Sequence, residues 1–303
     1  GELPVLNNQG AGVIVGFVDT GINYTDSLFR NVDGSTRIIG IWDQTNNSDN
    51  SNNIENETAK PFSAFSALYG TQYTAEEINL ALNSDNPASI VPTRDENGHG
   101  TFLAGVAAAS ETADYIGAAP EAEILMVKLK PAKKYLRDFY LLPERVEAYS
   151  ETDMMMGVRF LQQYAIREKK PLVICVGLGT ASGSRTGALP FADLLNTLAR
   201  QVNTVVVTCT GNEANNRTHT SGLAVSDTEP SEIEITVGAG ERGFVMEIWA
   251  ESLDILSVAI TSPSGERIPR IPARIDTGGV YNFLLERSQV AVDYSSSGIC
   301  IRL

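Results

Sequence analysis

Gly12-Val-Ile-Val-Gly-Phe-Val-Asp-Thr-Gly21 decides the fold. From Gly12 to Val18 the run is mostly apolar, without the alternation of a half-exposed strand. It reads as a strand buried on both faces, as in a parallel sheet. Downstream the chain alternates. Gly100-Thr-Phe-Leu-Ala-Gly-Val-Ala-Ala-Ala109 suits a tightly packed helix, and Glu123–Lys128 a strand. Met154, Val158, Leu161 and Ala165 recur at helical spacing, with Asp153 near the start. Leu172–Val176 is a strand, Phe191, Leu194, Leu195 and Leu198 mark a helix, and Asn203–Thr208 is another strand. Thr74 with Glu77 three residues later predicts a capped helix over 74–83. This rhythm predicts an α/β fold: a mainly parallel sheet flanked by helices and joined by right-handed crossovers.

Near Thr228-Glu229-Pro230 the rhythm changes. Ile233, Ile235 and Val237 alternate with polar residues, and Phe244, Met246 and Ile248 continue at period two. Turn clusters stand at Ser262–Gly265, Asp276–Gly279 and Ser295–Gly298. Short strands between such clusters predict a partial antiparallel β-sandwich. The expected domains are 1–228, an α/β part, and 229–303, a sandwich segment that is short for an independent module. Residues 46–57 are Asn-rich and polar and read as a solvated loop.

Composition narrows the function. Of 303 residues 43% are apolar, enough for a sizeable core. The formal charge of −14 disfavours nucleic-acid binding. No apolar stretch is long enough to cross a bilayer as a helix, so no membrane partner is expected. Cys175, Cys209 and Cys300 cannot all pair, and a disulfide framework is not expected. Two histidines and three scattered cysteines build no conventional zinc site. The Asn/Asp-rich 43–57 loop has oxygen ligands of the kind calcium takes but lacks EF-hand spacing. No cofactor or metal is therefore expected.

Three polar clusters carry the candidate chemistry. Asp19 ends the first strand, at the sheet edge where α/β active sites form; alone, Asp-Thr-Gly is an ordinary turn. His99 sits in Asn97-Gly-His-Gly-Thr101, wedged between glycines before a buried helix. An Asp that fixes the tautomer of an imidazole is the orienter–base half of a catalytic triad. Asn212, in Thr210-Gly-Asn-Glu213, follows the Val205-Val-Val strand, where a carboxamide could stabilise an oxyanion. Such a donor is worth about 3–4 kcal/mol in acyl-transfer sites. Gly-Asn also makes a common strand-exit turn.

With these landmarks in the order Asp, His, Asn, and with Gly117-Ala-Ala-Pro120 and Val127-Lys128 between them, the chain resembles the subtilisin-like serine peptidases. Lys128–Arg137 (KLKPAKKYLR), Asp153-Met-Met-Met-Gly157 and Pro263–Pro272 (PSGERIPRIP) resemble the Csp-type spore-germination subtilases in particular. The resemblance implies a subtilisin-like sheet followed by a jelly-roll-like sandwich insertion. It implies Asp19 as orienting acid, His99 as general base and Asn212 as oxyanion donor. It also implies that Gly177-Leu178-Gly179 pairs with an extended peptide or protein substrate, by β-augmentation. An ordinary Gly-rich strand exit is an equal reading of those three residues.

One element of the family pattern is missing. Its nucleophile lies in a Gly-Thr-Ser motif that opens a later helix, and no Gly-Thr-Ser occurs here. Ser182 precedes Asn212, and Ser221 lies in a polar loop beside His219. The expectation is that the remainder of the catalytic domain supplies the serine, and that these 303 residues alone are inactive. The alternative is a serine-less pseudoprotease that binds peptides as a sensor or scaffold. The paired Asp-Thr-Gly motifs at 19–21 and 276–278 also suggest a pepsin-like aspartic peptidase. The α/β rhythm and the unexplained His99 argue against it.

Overall fold

The computed structural model describes residues 9–46, 69–184, 186–187, 189–224, 226, 228–241, 243–250, 254–273, 278–294 and 298–303. Most of the Asn-rich loop, Asp276 and Thr277 of the second Asp-Thr-Gly, and Ser295–Ser297 lie outside them. The chain forms two compact units, one from the described residues of 1–132, 149–179 and 190–212, the other from those of 133–148, 180–189 and 213–303.

The first unit is built on a six-stranded sheet. Its strands are β1 (Ile14–Asp19), β2 (Ile38–Asp43), β3 (Thr71–Thr74), β4 (Glu123–Lys128), β5 (Leu172–Val176) and β6 (Thr204–Thr208). Their order is β3-β2-β4-β1-β5-β6. Every neighbouring pair is parallel except β2 with β3. All six residues of β1 are buried, as an apolar run in a central strand requires. Alternate residues feed two layers. Ile14, Val18, Leu125, Val127, Leu172 and Ile174 pack with Val158, Leu161 and Ala165 of α4 (Glu151–Glu168) and Leu194 and Leu198 of α5 (Pro190–Ala199). Val15, Phe17, Ile41, Ile124 and Met126 pack on the opposite layer, with Ile78 and Ala81 of α1 (Ala75–Leu82) and Ala104 and Ala108 of α2 (His99–Ala108). Helix α1 starts with the predicted capping box: Thr74 accepts from the Glu77 amide, and the Glu77 carboxylate accepts from the Thr74 amide.

Arg37 ties α2 down from its far end. Its guanidinium is buried and donates to the carbonyls of Leu28, Ala108 and Ala122 and to Ser110 Oγ. A cation on the last carbonyls of a helix also complements its dipole. Burial pulls the Arg37 pKa below its ordinary value.

The second unit carries α3 (Lys134–Phe139) and two antiparallel sheets. One has the order β10-β11-β12-β7, from β7 (Val245–Trp249), β10 (Gly278–Phe283), β11 (Ser288–Tyr294) and β12 (Gly298–Arg302). The other pairs β8 (Val258–Thr261) with β9 (Arg267–Ile271). Ile268, Ile271, Phe283, Val290, Val292, Ile299 and Ile301, from both sheets, share one apolar core. The predicted turn at 262–265 is present, closed by Gly265 N donating to Ser262 O at 3.0 Å. The alternation at Ile233, Ile235 and Val237 misleads: these side chains are exposed and the segment joins no sheet. Period two marks a strand only where a partner ladder covers one face.

Candidate active site

The site grows from the C-terminal edge of the parallel sheet. Asp19 closes β1 and is fully buried. Its Oδ1 accepts from the Thr20 amide at 2.8 Å and lies 2.8 Å from His99 Nδ1. The two residues are 80 positions apart. A carboxylate on Nδ1 places the proton there and leaves Nε2 as the free base. The His99 side chain remains 40% exposed, so the imidazole opens to solvent rather than into the core.

The loop around His99 is stitched to β1 by a second carboxylate. Asp95 Oδ1 accepts from Thr20 Oγ1 and the Gly98 amide, both at 2.9 Å. Asp95 Oδ2 accepts from the Thr101 amide at 2.9 Å and its hydroxyl at 2.6 Å. Thr20 Oγ1 in turn accepts from the Gly100 amide at 2.9 Å. Burial alone would raise the Asp95 pKa. The bonds from Thr101, Gly98 and Thr20 outweigh it and hold the carboxyl below its ordinary range. Sequence reading missed Asp95. Its signal was an Asp ahead of an Asn-Gly turn, a residue that characteristically accepts from amides a few positions on.

The glycines on either side of His99 have distinct jobs. Gly98 takes φ +88°, which L side chains rarely adopt. Gly100 lies so close to the Asp19 loop that a Cβ there would sit 2.2 Å from the Gly21 carbonyl oxygen.

Gly177 leaves β5 directly beside the pair. A Cβ on it would lie 3.0 Å from Asp19 Oδ2 and 3.3 Å from His99 Cε1. Leu178 turns into the apolar layer under α4 and α5, and Gly179 is exposed, next to Cys209. The structure therefore joins Asp19, His99 and Gly177. Asn212 is exposed and follows β6, the second strand from β1, with Gly211 ahead of it at φ +81°. Cys175 and Cys209 are free thiols; burial, then the charges of Asp19 and Cys209, push the Cys175 pKa up. Ser182 hydrogen-bonds to Glu247, and His219 and Ser221 are exposed. Of the second Asp-Thr-Gly, the described Gly278 opens β10. Among the described residues no group of three or more His, Cys, Asp or Glu is arranged to hold a metal ion, and no helix is long and apolar enough to cross a membrane.

The model of the Subtilase family matches residues 10–303, and the chain belongs to that family. Among solved structures it is similar to the CspB protease of Clostridium perfringens, with 28% identity and a TM-score of 0.76. The match covers 99% of this chain and 58% of the CspB protease chain, so the chain spans under two thirds of that relative. No curated protein matches.

Proposed function

We propose that this chain supplies the acid–base half of a serine endopeptidase. Asp19 holds Nδ1–H of His99. His99 Nε2 accepts the proton of an attacking serine hydroxyl and later returns it to the leaving amine. Asn212 donates to the oxyanion of the tetrahedral intermediate. Gly177-Leu178-Gly179 offers main-chain groups to an extended peptide or protein substrate. The observation that carries this reading is the 2.8 Å contact between a buried carboxylate and a solvent-open imidazole at the sheet edge.

The serine, in this reading, stands on a further segment, the remainder of the catalytic domain. The first unit offers apolar surface for it. Edge strand β6 exposes Val205 and Val207, and α2 exposes Phe102 and Val106. Val207 pairs with Cys175 and Cys175 with Phe17, on the α2 face. In this reading these exposed apolar side chains are the surface such a segment covers. The test is a serine-directed phosphonate probe on the complete protein. Labelling of the parent, lost in His99→Ala, supports the peptidase. An unlabelled parent that still binds peptides contradicts it and supports a sensor. The 303 residues alone are expected to give no turnover; turnover that survives removal of contaminating protease would refute the placement of the serine.

A further inference from the structure

Three consecutive residues ahead of the His99 loop are each bolted to a different strand end. Thr93 Oγ1 donates to Asp43 Oδ2 at 2.5 Å. The Arg94 carbonyl accepts from Lys128 Nζ at 2.7 Å. Asp95 Oδ1 accepts from Thr20 Oγ1 at 2.9 Å. Asp43 ends β2, Lys128 ends β4 and Thr20 follows β1; Asp43, Lys128 and Asp19 are register partners along one sheet edge. The ammonium of Lys128 also lies 3.7 Å from Asp43 Oδ2 and so links two of the three anchors. The Asp43 carboxylate is itself fixed, with Oδ1 accepting from the Thr45 amide at 2.8 Å and hydroxyl at 2.6 Å.

We infer that Asp43 and Lys128 are positioning residues for His99, an inference that rests on His99 being the base. Between Asp95 and His99 the backbone passes through Gly98 in the left-handed region, where glycine leaves it permissive. Asp95 holds both sides of His99, through the Gly98 and Thr101 amides, so the place of the imidazole follows the place of Asp95, the last of the three anchored residues. The clamp makes those anchors part of the same rigid edge that carries Asp19. A near-buried charge pair is costly to keep, and the best-attested return on that cost is a fixed register or arrangement. Lys128 keeps only 15% of its side chain exposed and Asp43 2%.

The test reads the His99 Nδ1 proton by NMR in the 303-residue chain. The sequence holds only two histidines, and His219→Ala removes the ambiguity. Lys128→Met keeps the stem and removes the ammonium; Lys128→Arg keeps a cationic donor. In Lys128→Met the proton is expected to disappear or to exchange with water about tenfold faster, the equivalent of one hydrogen bond. Lys128→Arg is expected to restore it. Circular dichroism establishes that each variant is folded at the temperature used. A purely structural Lys128 would lower Tm and leave the exchange rate of the folded protein unchanged, and that result overturns the inference. If Lys128→Met does not fold, Thr93→Val replaces it, and parental exchange in folded Thr93→Val overturns the inference equally. A parent with no protected Nδ1 proton on His99 contradicts the Asp19–His99 pair itself, a separate failure.

Discussion

Gly100→Ala puts one methyl group where two chain segments touch. Its Cβ would sit 2.2 Å from the Gly21 carbonyl oxygen, 3.0 Å from the Gly21 amide nitrogen and 3.2 Å from Asp19 Cβ. Ordinary contact begins near 3.4 Å, so the first distance is more than an ångström short, and against backbone atoms. The start of α2 must move away from the Asp19 loop by about that much. The His99–Asp19 distance is 2.8 Å, and an added ångström takes it beyond hydrogen-bond range. Overpacking together with loss of a charged hydrogen bond costs about 2–4 kcal/mol. Urea denaturation followed by circular dichroism measures it. Gly105→Ala is the control in the same helix: a Cβ there meets nothing within 4 Å beyond the helix backbone. That variant should gain about 0.5–1 kcal/mol from the lower chain entropy of the unfolded state. A Gly100→Ala protein within 0.5 kcal/mol of the parent, with the Asp19–His99 contact intact, would refute the close-approach reasoning.

Other outcomes follow from the same contacts. Arg37→Leu strips the donor from three carbonyls, including one at the end of α2, and should cost about 2–4 kcal/mol in the same denaturation assay. The folded-state pKa of Asp95 is depressed, so the unfolded chain binds more protons as pH falls. That contribution is complete above the unfolded value of about 3.9 and drains away as pH falls through the lower folded value. Asp95→Asn should therefore be less stable than the parent at pH 7 and show a shallower loss of stability below about pH 4 in an acid titration. A thiol alkylator should modify exposed Cys209 before Cys175, whose thiolate is disfavoured by burial and by Asp19; mass spectrometry after brief exposure gives the order.

The sequence signal was strongest where local chemistry and final environment coincide. The apolar run into Asp19 announces a central strand because both faces of β1 are covered. Thr74 and Glu77 announce α1 because a capping box is complete within four residues. Asp19 and His99 could be proposed as partners from residue type, strand end and flanking glycines, although 80 positions separate them. What stayed hidden was non-local. The order β3-β2-β4-β1-β5-β6 depends on which strands end side by side, and no short-range pattern records it. Asp43 and Lys128 look like ordinary strand-end charges until the sheet edge brings them to the segment ahead of His99. The segment around Ile233–Val237 erred in the opposite direction: it has the alternation but no ladder to use it.

Neutron diffraction from a deuterium-exchanged crystal of this chain would locate the hydrogen on the His99 ring directly. Density for deuterium on Nδ1, pointing at Asp19 Oδ1, with Nε2 open to solvent, is the expected result. A ring bonded elsewhere, or deuterium on Nε2 alone with Nδ1 bare, would contradict the acid–base pair on which the proposed peptidase rests.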